Sequence, residues 1–346
     1  MITHPALAHV VLGRELSGRA VELPGLVLRR QGWGASVLMA AARARTVGLL
    51  VDLSEAEAMR LDYFMAVFRQ RRMAVGTVEA HVGEGTAAWS QPDWLRDRAD
   101  TVVAVAGDVM ALMDRAAAEE VAQRLEAMLV RAASRVRAVS APTDLRWRAG
   151  VSDVVVVAER LPYARFFAVE EYDVSWRRFD GAMSEVVTRA AFVSGDAVTV
   201  LPYDPVRDLV LVVEQFRAGP LARGDGQAWQ IEAIAGRIDP GETPEDAARR
   251  EAVEEAGLRL DLLLEVARYY TSTGAVSEYI YGYVALVDLP DGSAGVFGVE
   301  DEAEDIRGHL ISFDRLMELV ASGEIENAPL ILTALWLQRE RGRLRG

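Results

Sequence analysis

Between Gly236 and Leu258 the chain reads GRIDPGETPEDAARREAVEEAGL, and this run leaves little freedom in how its surroundings fold. Thr243 stands where an N-cap belongs, Pro244 suits the first helical position, and Asp246 follows the cap by three residues. Gly257 is placed to end the helix in a left-handed conformation. The spacing predicts a helix of about three turns. On it Glu251 and Glu255 are i and i+4, and Glu254 is i+3 from Glu251, so three carboxylates share one edge. Ala248, Ala252 and Val253 are left to face a core. Like charges so close repel unless a cation lies among them. Mg²⁺ takes oxygen ligands in an octahedron and keeps waters, which suits a diphosphate substrate. Arg250 is expected to pair with a neighbouring glutamate and fix its rotamer. A merely solvated charged helix would explain the acidity but not the glycines or the register.

The rest of the chain narrows the chemistry. At 346 residues it is long for one domain and comfortable for two, and 51% of it is apolar, enough for a core in each. There is no cysteine, which removes disulfides, thiolate metal sites and cysteine nucleophiles. The four histidines, His4, His9, His81 and His309, form no ligand-spaced set, so acid and metal chemistry remains. With a net charge of −14 and no basic stripe, nucleic acid is not an expected partner. A small anionic substrate would be drawn in by local metal and a few arginines. No run of eighteen apolar residues and no signal-like amino terminus occur, so no membrane partner and a cytoplasmic location are expected.

Three textures divide the chain. Residues 10–90 alternate short apolar runs with glycine and proline turns, as in a small mixed unit. Residues 101–138 carry Val109, Leu112, Met113, Val121, Leu125, Met128 and Leu129 at helical spacing, two helices whose stripe reads as core packing. Beyond Tyr163, strands are expected at 166–171, 174–179, 184–192, 198–203, 209–215, 266–271 and 279–287, with 229–235 leading into the glutamate helix. An acidic loop at 292–305 and helices at 316–321 and 330–341 follow. Strands with flanking helices predict an α/β/α sandwich around a mixed sheet.

Written as G-x5-E-x7-R-E-x-x-E-E-x-G-L, the run on Gly236, Glu242, Arg250, Glu251, Glu254, Glu255, Gly257 and Leu258 matches the signature of the Nudix hydrolases. At roughly 7% usage each, seven such fixed positions would match by chance on the order of 10⁻⁸ per starting point. Residues 163–341 further resemble the ADP-ribose pyrophosphatase branch, through LPYDPVRDLVLVVEQFRAG (201–219), AWQIEAIAGRIDPGE (228–242) and EDEAEDI (300–306). The resemblance implies that Glu251, Glu255 and the Ala235 carbonyl ligate Mg²⁺, with Mn²⁺ as a substitute, and that Glu254 lies beside them. It implies Glu302 and Glu304 as general base and further metal ligand, without saying which is which. Arg217 would contact substrate phosphates and Glu232 would bond near a ribose. Arg189 and Glu278 would support the substrate, Arg189 from strands exchanged within a homodimer. Thr273-Gly274 replaces the family's usual Pro-Gly. The implied reaction is hydrolysis of ADP-ribose to AMP and ribose 5-phosphate. Other nucleoside diphosphate sugars such as ADP-glucose or GDP-mannose, and a non-catalytic ADP-ribose-binding module, are the alternatives. Some members of the branch carry a tellurite-resistance label, which says nothing about mechanism.

The amino-terminal half is similar to the γ-glutamylcyclotransferase-like fold, through VLGRELSGRAVELPGLVLRRQG, TVGLLVDLSEAEAMRLDYFM and RQRRMAVGTVEAHV. The chain starts at Met1 already past that family's opening strand and loop, and the catalytic glutamate would fall at Met65. A catalytically silent domain is therefore expected. The whole reads as an α/β (α+β) protein: a degenerate γ-glutamylcyclotransferase-like, barrel-type domain at 1–98, a helical bridge at 99–150, and a Nudix sandwich at 151–346 with dimerisation strands at 163–192.

Overall fold

The computed structural model describes residues 2–31, 35–75, 77–85, 87–138, 142–299 and 304–345. By its contacts the chain divides between Arg189 and Ala190 into two compact units.

The first unit opens with α1 (Pro5–Leu12), then β1 (Arg19–Gln31) and β2 (Ala35–Leu50), a long antiparallel hairpin paired from Arg19–Leu50 to Gln31–Ala35. Helix α2 (Glu55–Val67) starts at a capping box in which Ser54 and Glu57 satisfy each other's backbone N–H. Strands β3 (Arg71–Val75), β4 (Val78–Val82) and β5 (Ala87–Ala88) complete a five-stranded sheet of order β3-β4-β2-β1-β5. Helices α3 (Gln91–Asp97), α4 (Ala99–Met110), α5 (Ala118–Ala122) and α6 (Leu125–Arg137) follow. The apolar stripe expected at 101–138 is core: Val105, Val109, Met128 and Leu129 pack in one cluster with Leu7, Val11 and Phe64. Strands β6 (Val154–Ala164), β7 (Ala168–Trp176) and β8 (Val187–Val193) form a three-stranded sheet. Arg124 donates to the Ala164 carbonyl at 2.7 Å and Arg131 to that of Phe166 at 3.2 Å. These bonds tie α6 to the β6–β7 hairpin, which is why the unit ends near residue 189 rather than at 150.

The second unit is an α/β/α sandwich. Its strands are β9 (Ala197–Asp204), β10 (Leu209–Phe216), β11 (Trp229–Glu232), β12 (Ile234–Arg237), β13 (Leu262–Tyr270), β14 (Tyr279–Leu286), β15 (Val296–Phe297) and β16 (Ile306–Ser312). Its helices are α7 (Ala218–Arg223), α8 (Pro244–Ala256), α9 (Phe313–Ser322) and α10 (Ala328–Arg345). The main path of the sheet is β13-β14-β9-β10-β16-β15, with β14 parallel to β9 and the other pairs antiparallel. β9 is buried along nearly its whole length, as a central strand covered on both faces must be. Val198, Val200 and Leu211 meet Ala247, Ala248 and Ala252 of α8 on one face. Leu201, Tyr203 and Val210 meet Leu316 of α9 and Leu330 and Ala334 of α10 on the other. Each large side chain so enclosed contributes roughly 1.5–3 kcal/mol.

One irregularity positions the site. β9 and β10 pair only at their Tyr203–Asp204 and Leu209–Val210 ends, then diverge. The stretch leading into α8 breaks at Ala233, so β11 pairs with β10 and β12 with β9. The break brings Arg217 and Glu232, and also Ala235 and Gly236, to one end of the sheet.

Candidate active site

Helix α8 is built as its sequence requires. The Thr243 hydroxyl accepts from the Asp246 N–H at 3.1 Å, and Gly257 closes the helix at φ 63°. The three glutamates are not equally placed. Glu255 is 1% exposed and Glu251 8%, whereas Glu254 is half-buried. Gly236 is needed for this: a Cβ there would lie 1.8 Å from Glu251 Oε1. Arg250 donates to Glu242 at 2.9 and 3.0 Å, to Glu251 at 2.7 Å, to Glu254 at 3.0 Å and to the Arg237 carbonyl at 2.9 Å. Burial works against its charge, but these carboxylates raise its pKa further still. Among the described residues, Glu255 accepts one hydrogen bond, from the Ala235 N–H at 3.1 Å.

The electrostatics follow from that difference. Burial pushes Glu251 up to about 7, partly offset by Arg250. Burial pushes Glu255 up to about 8, with the Ala235 N–H opposing and Glu251 adding to the rise. The charge of Glu304 raises both, and that of Arg217 lowers Glu255, so helix, loop and strand end converge on one region. Among the described residues no three acidic or histidine side chains form a ready metal cage. Arg250 draws Glu251 and Glu254 to itself, and an ion that keeps most of its waters needs only one or two carboxylates.

Around this pair, Arg217 donates to Glu232 Oε2 through Nε and Nη2 at 2.9 and 2.7 Å. Glu278 is held up by burial and accepts from the Ser194 hydroxyl at 3.4 Å, with the charge of Arg237 close by. Glu304 accepts from the Val299 N–H at 3.1 Å. Gly298, at φ 118°, has Glu304 so close that a Cβ would meet its Cβ and carbonyl oxygen at 2.8 Å. Glu302 lies outside the described residues. Arg189 ends the first unit, exposed, with its guanidinium 5.6 Å from the Trp176 ring centroid and one donor on the Thr188 carbonyl at 3.0 Å.

The NUDIX domain family matches residues 193–333. Over 197 residues the chain is 39% identical to the ADP-ribose pyrophosphatase of Escherichia coli strain K12, spanning 57% of this chain and 93% of that protein. The chain belongs to the Nudix hydrolase family. A second relative, the ADP-ribose pyrophosphatase of Haemophilus influenzae strain Rd, is 32% identical over 56% of this chain and 89% of its own. A GDP-mannose pyrophosphatase of Salmonella choleraesuis is 29% identical over 54% of this chain and 95% of its own.

Several residues of this Nudix site went unseen in the sequence. Gly298 pins the loop glutamate, Ser194 holds Glu278, and Asn327 donates to Glu232 Oε1 at 3.0 Å. Only Asn327 had a local signal, an N-cap asparagine ahead of the apolar run from Leu330. No helix among the described residues is long and apolar enough to cross a membrane.

Proposed function

We propose that the second unit hydrolyses the pyrophosphate bond of ADP-ribose, giving AMP and ribose 5-phosphate. The observation that carries this reading is Glu255, sealed beside Glu251 with one N–H for a partner, in a chain so similar to an ADP-ribose pyrophosphatase. A buried carboxylate with as little to offset its charge as Glu255 fits a hard divalent cation with oxygen ligands. Glu251, Glu255 and the Ala235 carbonyl would hold it, with Glu304 as a further ligand, and Mg²⁺ is the preferred ion with Mn²⁺ as a substitute. When bound, the cation offsets charge on the anhydride oxygens and acidifies the attacking water. Arg217 binds phosphate oxygens through the donors it does not spend on Glu232. Arg250 fixes the rotamers of Glu251 and Glu254, and Glu254 orients water. A loop carboxylate, Glu304 or Glu302, takes the proton from the attacking water. Glu278 supports the substrate, Arg189 would do so from strands exchanged within a dimer, and Glu232 keeps Arg217 in line.

A phosphate-release assay on a panel of nucleoside diphosphate sugars, with Mg²⁺ and a coupled phosphatase, tests the reading. ADP-ribose should rank first and yield AMP. No turnover of any member would overturn hydrolysis and leave the binding module. A GDP-mannose preference is the second reading, favoured by the Salmonella relative.

The proposal extends to a homodimer with strands 163–192 exchanged. Its support is Val154–Val157, between 46% and 59% exposed although consecutive strand residues point to opposite faces. A monomeric mass in light scattering would remove it. The amino-terminal unit is read as γ-glutamylcyclotransferase-like and silent: Met65, where the catalytic acid would fall, is 6% exposed inside the core and its thioether carries no proton. Robust 5-oxoproline production would refute this.

A further inference from the structure

Glu232 ends β11, Arg217 follows β10, and Asn327 precedes α10, and the three side chains meet at one buried carboxylate. We infer that Asn327 is a positioning residue for hydrolysis, setting Arg217 through Glu232; the inference rests on the function proposed above.

Glu232 is 7% exposed, and a carboxylate so enclosed is tolerated only if its oxygens are partnered. Oε2 takes both donors from Arg217, at 2.9 and 2.7 Å. Oε1 takes the Asn327 amide N–H at 3.0 Å. The Asn327 amide is spent at both ends, because Oδ1 accepts the Leu330 N–H at 3.0 Å and caps α10. Its orientation is therefore forced, since a flipped amide would set N–H against N–H. Two consequences follow. Glu232 has each oxygen engaged within the protein, so it acts on the substrate through Arg217. The seat of α10, fixed by Leu330, Ala334 and Leu337 in the core, is transmitted to a guanidinium whose side chain is 41% exposed and open to a ligand.

Asparagine is the residue that can both cap α10 and donate to Glu232. Asn327→Asp keeps the cap but sets a carboxylate against Glu232, and Asn327→Ser keeps a cap that is too short to reach it. Both variants of the full chain are tested for ADP-ribose hydrolysis with Mg²⁺, for ADP affinity by calorimetry without metal, and for thermal midpoint. For Asn327→Asp the expectation is a KM about 5–10-fold higher at kcat within about 2-fold, and ADP binding weakened in proportion. Its midpoint should fall as well, because a second carboxylate is set against a buried one. Asn327→Ser should show a smaller rise in the same direction. A lowered midpoint with unchanged KM and ADP affinity means a helix cap and nothing more, and overturns the inference. Should the parent turn over no ADP-ribose, the proposed function fails on its own; ADP affinity then decides the relay, and equal binding by parent and both variants overturns it.

Discussion

Asp208, half-buried, and Glu255, buried, are carboxylates of the second unit that are treated in opposite ways. Asp208 sits at the β9–β10 turn at φ 60°, accepts from the Tyr203 hydroxyl at 2.9 Å and from Arg341 at 2.9 Å, and forms an ion pair with Arg345. The Arg341 bond, opposed by burial and aided by Tyr203, pulls its pKa down to about 2. Glu255 has one backbone N–H, and burial lifts it to about 8. Asp208 is electrostatically complete and needs nothing further. Glu255 is held in a state that only a proton or a cation relieves, and a fold retains such a group only where something else is to bind. Acidity alone therefore does not mark the site; the absence of compensation does.

The sharpest way to break the comparison is Glu255→Gln. If the carboxylate waits for a cation, turnover should fall by about 10²-fold or more. The metal-free protein should unfold no earlier than the parent, because a buried charge has been removed without stranding a partner cation. In calorimetry the parent should gain thermal midpoint on adding Mg²⁺ and the variant should gain little, as expected of binding to the folded state alone. A variant with full activity and the same Mg²⁺ response would place the metal elsewhere.

The α8 half of this comparison was legible in the sequence because its determinants are local. A cap, a proline, an αL glycine and i, i+4 spacing act within one helix, and the helix forms as they dictate. The tertiary parts were not. Nothing local says that Gly298 abuts Glu304, or that Asn327 reaches Glu232 across 95 positions. β6 escaped because Val154–Val157 shows no alternation, and β16 because it follows an acidic loop directly. Gly236 lies between these cases, since its place in the signature was plain and its reason, the approach of Glu251, was not. Gly236→Ala should displace Glu251 and reduce kcat/KM by about 10–100-fold, with a higher Mg²⁺ requirement. Unchanged kinetics at the same Mg²⁺ concentration would mean that the position of Glu251 is not critical.

Asp208→Asn should affect folding and spare chemistry. The variant strands Arg341 and Arg345 beside a neutral amide, which should cost about 1–3 kcal/mol of stability near neutral pH. Its pH dependence has a definite sign. The folded-state pKa of about 2 lies below the ordinary 3.8, so the folded protein binds this proton less readily than the unfolded chain. The contribution is present in full above the ordinary value and is lost as pH falls from about 4 through 2. Urea midpoints across that range should drop more steeply for the parent than for Asp208→Asn, so the two curves approach each other in acid. Hydrolysis per folded molecule should match the parent, since the Asp204 end of β9 that carries the Asp208 turn is opposite the Ala197 end paired with β12. If Asp208→Asn lost as much turnover as Glu255→Gln, compensated and uncompensated carboxylates would be doing the same work, and burial without a partner would no longer distinguish the site.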